Sequence, residues 1–354
     1  MNIFLTGATG FLGGRLIRNL LEEGHTVYIL ARNLDKANKQ KENLPFLLQE
    51  KVHILQGDII KPDFGFTKDT LNLISGQVDI FYHLAALVKF DHELREQLME
   101  MNFHGTKIAL KVADKIGASK FIHVSTAYTV GTSNQGLEEL YEISQGFNNP
   151  YEESKALAEH EVFQYQDKME VSIFRPAIIV GDSKTGEADS AFTLYGFMRG
   201  LELFKRRLDR KLSIEKVHLV GSKHGTSNLV PVDYVADILT IAATKAKSRT
   251  IYNVTNPAPP TNREILEIIK YHLQFDTLGI YQKGTSFVLT PVEEQLNGML
   301  NVFAPYLDRS ISFNDANTQE LLNGSPIAHL NMTDEIINII VQAYFAPTME
   351  KAHV

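Results

Sequence analysis

Three glycines at a three-residue spacing, in Thr6-Gly7-Ala8-Thr9-Gly10-Phe11-Leu12-Gly13, do most to narrow what this chain can fold into. They follow the apolar run Asn2-Ile3-Phe4-Leu5 and open the periodic segment Arg15 to Glu23, so the stretch reads as strand, glycine turn and helix. In such a unit Gly7 permits the tight turn, Gly10 lets backbone approach a pyrophosphate and Gly13 allows close packing, while free helix amides face the phosphates. The spacing is G-x-x-G-x-x-G, unlike the dehydrogenase fingerprint G-x-G-x-x-G. The turn predicts a dinucleotide site built from Gly7, Thr9, Gly10, Phe11, Leu12 and Gly13.

The chain then alternates. Thr26 to Leu30 reads as a second strand and ends in Ala31-Arg32-Asn33 rather than in an acidic residue. An Asp or Glu there would bind the ribose hydroxyls of NAD and repel a 2′-phosphate, whereas Arg32, aided by Lys36, favours NADP(H) over NAD(H). Val52 to Leu55 is a third strand closing on Gly57-Asp58-Ile59, with the Asp58 carboxylate facing the adenine edge and Ile59 also expected at the cofactor. Val78 to His83 is a fourth, followed by Leu84-Ala85-Ala86, where backbone can lie against the cofactor. His83 and His104 belong to no ligand cluster, so they read as core or supporting histidines and no metal is expected. Phe121 to Val124 is a fifth strand that delivers Ser125 and Thr126 at its carboxyl end, and Val171 to Phe174 is a sixth, ending in Arg175-Pro176. Alternating strands and helices imply an α/β fold with a doubly wound parallel sheet.

Between those last two strands lies Pro150-Tyr151-Glu152-Glu153-Ser154-Lys155. Four residues apart on a helix, Tyr151 and Lys155 share a face, which puts a phenol beside an ammonium. The cation is expected to lower the phenol's pKa from its ordinary value of roughly 10 and fit it for acid chemistry near neutral pH.

The later half is less regular. Gly181 to Glu187 is a polar, turn-rich loop, and the apolar and basic segment Phe192 to Leu212 after it reads as a lid or, through Phe192, Leu194, Tyr195, Phe197 and Met198, as apolar substrate-pocket surface; the same spacing suits a buried helix face. Leu229 to Val232 and Ile251 to Val254 are further strands flanking a helix at Tyr234 to Ala246, the second rejoining the main sheet. Pro257, Pro259 and Pro260 mark a boundary beyond which helices dominate. These features divide the chain into a cofactor-binding domain at 1–182, with 217–257 returning to it in part, and a substrate lobe at 183–216 and 258–354.

Composition narrows the partners. A formal net charge of −7 without a long Lys/Arg block argues against nucleic acid or an anionic membrane surface, so a small-molecule substrate is expected. The absence of cysteine excludes disulfides, a thiolate nucleophile and cysteine-ligated metal, and fits a reducing, cytoplasmic setting. Met1 to Leu5 leads directly into the glycine turn, so the N terminus is expected to be folded domain. Ile336 to Ala346 is too short to span a bilayer and reads as a buried helix.

Taken in order, Thr6 to Gly13, Gly57-Asp58, His83 to Ala86, Asn102, Ser125-Thr126, Tyr151/Lys155 and Arg175-Pro176 resemble the extended short-chain dehydrogenase/reductases. The resemblance implies that Tyr151 is the general acid/base, that Lys155 binds the nicotinamide ribose and that Thr126 holds the catalytic Ser/Thr position. Leu84, Ala85, Ala86, Asn102, Pro176 and Ile179 are expected beside the cofactor as well. Within that superfamily His123-Val124-Ser125-Thr126-Ala127-Tyr128 and the run from His83 to Asp91 look like the fatty acyl-CoA reductases. Gly181 to Gly186 is similar to a loop of thioester-reductase domains, and Pro305-Tyr306-Leu307, Phe313 and Asn317-Thr318 are similar to the acyl reductase tail. Reduction of an acyl thioester by NADPH is therefore expected, to aldehyde or on to alcohol, with the acyl group on coenzyme A or a carrier protein. The alternatives are a ketone or hydroxysteroid-type reductase, a nucleotide-sugar epimerase or dehydratase, and a redox-sensing or scaffold protein on the same fold.

Overall fold

The computed structural model describes residues 1–190, 192–209, 216–222, 224–282 and 287–346. They fall into two compact units. The first comprises Met1–Ala177, Val232–Thr255 and Phe313–His329, and the second Ile178–Pro231, Asn256–Ser312 and a stretch from Leu330 onward. Three segments differ from the division expected above, the first being residues 178–182, which group with the second unit. Residues 217–231 group with the second unit, because strand Val217–Gly221 pairs with Leu278–Gln282 and Leu229–Pro231 with Ile178–Val180. Residues 313–329 group with the first, because Asn317 Nδ2 donates to the Ile251 carbonyl (2.9 Å) and Thr318 Oγ to that of Asn253 (2.9 Å).

The first unit is built on seven strands: β1 (Asn2–Thr6), β2 (Thr26–Ala31), β3 (Val52–Gln56), β4 (Ile80–His83), β5 (Lys120–Val124), β6 (Glu170–Pro176) and β7 (Thr250–Val254). All run parallel, in the order β7-β6-β5-β4-β1-β2-β3. The order reverses between β1 and β4, and in such sheets the crevice at the carboxyl ends of those strands takes the ligand. Inner strands are buried on both faces, which is why they read as near-continuous apolar runs. Phe4, Phe81 and Phe121 stack across β1, β4 and β5 with ring centroids 4.7 and 5.2 Å apart.

The helices that matter for the site are α1 (Phe11–Glu22), α2 (Leu34–Glu42), α3 (Gly105–Lys115), α4 (Pro150–Gln164) and α5 (Val232–Lys245). Helix α1 buries Leu16, Ile17, Leu20 and Leu21, one face at helical spacing, and Asn19 on it donates to Asp237 on α5 (2.7 Å). Asn149 caps α4 by accepting from the Glu152 amide (3.1 Å), and Pro150 opens its first turn, where its preset φ suits a helix start. Glu138 accepts from the amides of Asn253 (2.9 Å) and Asn317 (2.7 Å), fastening the segment before α4 to β7 and to the returning tail.

The second unit has its own core, centred on the helix Leu194–Leu208. Leu194, Tyr195, Phe197, Met198, Leu201 and Phe204 are buried in it, Phe197 edge-on to Phe303 with centroids 5.8 Å apart. This overturns the lid and pocket-surface expectations for these side chains, because the apolar face is consumed by packing. Phe192 alone of that group is exposed, and residues 210–212 lie outside the described residues. The strand Leu278–Gln282 interrupts the helical run expected after Pro257. Helix Asp334–Phe345 buries Ile337, Ile340 and Val341, and no described helix is long and apolar enough to cross a membrane.

Candidate active site

The glycine turn sits at the β1/β4 crevice. Gly7 has φ +74°, and a methyl on it would lie 2.7 Å from the Ala85 nitrogen, so the β1 and β4 loops meet backbone to backbone there. A methyl on Gly13 would lie 2.2 Å from the Gly7 carbonyl oxygen, which makes Gly13 the packing glycine. Gly10 differs: the nearest atom to such a methyl is 3.2 Å away, and the residue is exposed. Gly10 begins α1 without a side-chain cap, and Thr9, Phe11 and Leu12 around it are partly exposed. Helix amides left without a side-chain cap beside an open glycine suit a phosphate group. Gln40 on α2 donates to the Ala8 carbonyl (3.0 Å) and braces the turn from behind.

At the end of β2 Arg32 is exposed, and its guanidinium has neither carboxylate nor hydrogen-bond partner among the described residues. Lys36 is exposed on the first turn of α2, its amide bonded to Asn33 Oδ1 (3.0 Å). Asp58 is half-buried and accepts from the Ile60 amide (3.3 Å). Ile59 departs from expectation: it is buried in the sheet core against Gly105.

Leu84, Ala85 and Ala86 leave β4 partly exposed. Asn102, expected beside the cofactor, is fully buried in a π-helical turn (Met99–His104). Its amide accepts from the Leu87 amide (2.7 Å) and donates to the Leu87 carbonyl (3.0 Å) and to Ser154 Oγ (3.0 Å). It therefore clamps the β4 loop to α4 rather than offering a contact surface. Pro176 is buried at the end of β6, and Ile179 lies partly exposed on a strand of the second unit.

Thr126 follows β5 and is 5% exposed, with its hydroxyl within electrostatic reach of the Tyr151 phenol and 3.5 Å from the Pro176 carbonyl oxygen, to which it donates. Its Oγ also accepts from the Tyr128 amide (3.3 Å). Neighbouring Ser125 is buried too, and its Oγ finds no partner among the described residues. Lys155, one turn along α4 from Tyr151, is 1% exposed and donates through Nζ to the Val124 carbonyl (2.7 Å). Burial brings the Lys155 ammonium down to about 8, with the Glu159 carboxylate acting in the opposite sense. Burial also pushes the Tyr151 phenol up; the Thr126 hydroxyl acts in the opposite sense and Glu152 adds to the rise. The expected lowering of the phenol by Lys155 is thus overturned, because desolvation dominates.

One further pair was not singled out by role. Arg175 and Glu159 are both buried, Arg175 donating from Nε (2.8 Å) and NH2 (2.6 Å) to the two carboxylate oxygens. The same guanidinium donates to the carbonyls of Leu137 and Glu139 (2.9 Å each). Glu159 lies four residues beyond Lys155, so its helical spacing from the Tyr/Lys pair was the available signal.

The arrangement fits a dinucleotide at the β1/β4 crevice and a carbonyl beside Thr126 and Tyr151. Comparison with known proteins bears on the fold and the family. The NAD-binding family described as male sterility protein matches residues 5–239. Fatty acyl-CoA reductase wat of Drosophila melanogaster is 28% identical over 302 residues, covering 71% of this chain and 56% of that protein, so the chain spans little more than half of that relative's length. The terminal R domain from the myxalamid PKS-NRPS biosynthetic pathway superposes with a TM-score of 0.77 at 21% identity, covering 97% of this chain and 90% of the other. The dTDP-glucose 4,6-dehydratase DesIV of Streptomyces venezuelae, solved with NAD and TYD bound, gives 0.68 at 18% identity over 97% of each. These two likenesses establish the shared fold. With its glycine turn, its parallel sheet and a family match across most of the first unit, this chain belongs to the male sterility protein family, in the fatty acyl-CoA reductase and thioester reductase branch of the extended short-chain dehydrogenase/reductases.

Proposed function

We propose that the chain is an NADPH-dependent reductase of an acyl thioester, acting on coenzyme A esters or on acyl groups borne by a carrier protein. The observation that carries this reading is the convergence of Thr126, Tyr151 and Lys155 behind β5 in a chain whose relatives include a protein named fatty acyl-CoA reductase. When bound, the reduced nicotinamide supplies the hydride. The protein's own groups handle the oxygen and its proton. The Thr126 hydroxyl is preorganised to hydrogen-bond the carbonyl oxygen as charge develops there. A phenol raised by burial stays protonated at neutral pH, so Tyr151 acts as a proton donor and needs no prior activation. Lys155 is cationic below about 8 and would serve as a donor for the cofactor ribose and a positive charge on the same helix as Tyr151. The reduced thioester is a hemithioacetal, which collapses to aldehyde and thiol; the same residues would serve a second reduction to alcohol.

Arg32 and Lys36 support the choice of NADP(H), since an exposed guanidinium free of any carboxylate suits a 2′-phosphate. The test is NADPH consumption by the purified chain against a panel of acyl-CoA and acyl-carrier esters, with Tyr151→Phe as control. Thioester-dependent NADPH loss that the Phe variant lowers by about a hundredfold or more is expected. No loss with any ester would sink the reading.

A further inference from the structure

Two buried histidines on adjacent strands, His83 on β4 and His123 on β5, are cross-strand neighbours whose rings stack 5.5 Å apart, and neither is used in the chemistry above. They differ in how their nitrogens are satisfied. The single Thr106 hydroxyl proton goes to the Asn102 carbonyl (2.6 Å), so Thr106 Oγ accepts from His83 Nε2 (3.1 Å). His83 Nδ1 then accepts from the Thr6 hydroxyl (2.8 Å), which itself accepts from the Ala85 amide (3.3 Å). Every polar atom in that chain has a partner, and the tautomer follows from it. His123 is different. It is 0% exposed, its Nδ1 has no partner among the described residues, and its Nε2 lies 3.4 Å from Lys155 Nζ. An ammonium can only donate, so Nε2 accepts and the orphaned Nδ1 carries the proton. A buried N–H without a partner is unfavourable, and a phenyl ring would fill the same space without it. The histidine is explained only by what its other nitrogen does.

We propose that His123 is a positioning residue for Lys155: with the Val124 carbonyl it takes two of the three ammonium hydrogens on the sheet side and leaves one for the reacting groups. The inference rests on the role given to Lys155 under the proposed function. The groups that act on Lys155 are Glu159 on α4, His123 on β5 and, behind it, His83 on β4, with Tyr151 one turn earlier on α4, while Arg175 on β6 is paired with Glu159. Burial, helped by the Lys155 charge, holds both histidines well below their ordinary values, and burial holds Tyr151 above its own, so Lys155 is the member of this group that titrates in mildly alkaline solution.

The experiment follows the lysine itself. Protein carrying carbon-13 at the lysine ε positions is titrated by NMR, with the Lys155 signal identified by its loss in Lys155→Arg. The midpoint is expected near about 8 in the unaltered chain. His123→Phe keeps the stacked ring but removes the acceptor for the charged form, so the midpoint should fall by about one pH unit, and the alkaline limb of kcat/KM should move with it. His123→Gln, whose amide reaches the Nε2 position, should restore the midpoint to within about 0.3 unit. An unmoved midpoint and limb in His123→Phe, whatever the change in melting temperature, would overturn the proposal and make the ring packing alone. Should the Phe variant not fold, His123→Asn serves, its shorter amide stopping at the Nδ1 position. A lowered midpoint in Asn beside an unchanged one in Gln supports the inference, and equal midpoints overturn it. The titration needs no substrate, so a failure to reduce thioesters would remove the proposed function and leave this result readable.

Discussion

Glu159 and Arg175 form a bidentate ion pair with side chains 1% and 0% exposed, four residues along α4 from Lys155. A pair so deeply buried owes its stability to complete satisfaction, and here the guanidinium also holds two carbonyls of the segment that leads into α4. Arg175→Met strands a buried carboxylate and should lower unfolding stability by about 3–5 kcal/mol. Denaturant unfolding of Arg175→Met against the double variant with Glu159→Met is the check. The double variant should recover much of the loss; equal losses would mean that the pair is not what holds this region.

The Lys155 shift gives a pH dependence of definite sign. Its pKa falls from 10.5 to about 8 on folding, so the native state carries a penalty for the charged lysine that is full below about 8. Between about 8 and 10.5 the unfolded chain binds the extra proton and stability rises with pH, by about 3 kcal/mol over the window. Relative to Lys155→Met, which has no such penalty, the natural chain should gain stability as pH rises through that range. A difference that stays flat would show that Lys155 is not desolvated as described.

Arg32 is expected to set the choice between the two dinucleotides. A charge-assisted pair with the 2′-phosphate is worth roughly 1.5–3 kcal/mol, or about tenfold to a hundredfold in affinity. Arg32→Ala should erase most of the NADPH preference and leave NADH binding within about twofold. Fluorescence titration with both cofactors measures it, and equal affinities in the unaltered chain would refute the assignment.

Phe197 tests the corrected reading of the second unit. Truncation of a side chain packed against Phe303 within a buried cluster should cost about 3–5 kcal/mol and leave acyl chain-length preference unchanged. A stable Phe197→Ala variant with an altered chain optimum would return this helix to the acyl site.

These outcomes mark what was legible in the sequence. The strands of the parallel sheet could be read because buried apolar runs and glycine turns are local signals, and six of them needed no tertiary information. The strands 178–180, 217–221 and 278–282 escaped, and so did the pairing of 229–231, itself read as a strand, since each partner is distant in sequence. That Tyr151 and Lys155 share one helix, and that Thr126 follows the end of β5, was legible from spacing and position. The direction of the Tyr151 shift was not, because helix spacing places a cation nearby yet carries no measure of burial. Asn102 illustrates the same limit: its identity was visible, but its clamp on Leu87 depends on a π-turn that composition does not announce.

The most direct test of the central claim couples cofactor consumption to thiol release from an acyl-CoA. The chain contains no cysteine, so a thiol reagent reads the liberated coenzyme A without protein background. Thiol should appear with NADPH loss at one equivalent per NADPH if the aldehyde is released, or one per two if the alcohol is made. NADPH oxidation of ketones or sugars without thiol release, or no oxidation with any thioester, would contradict it.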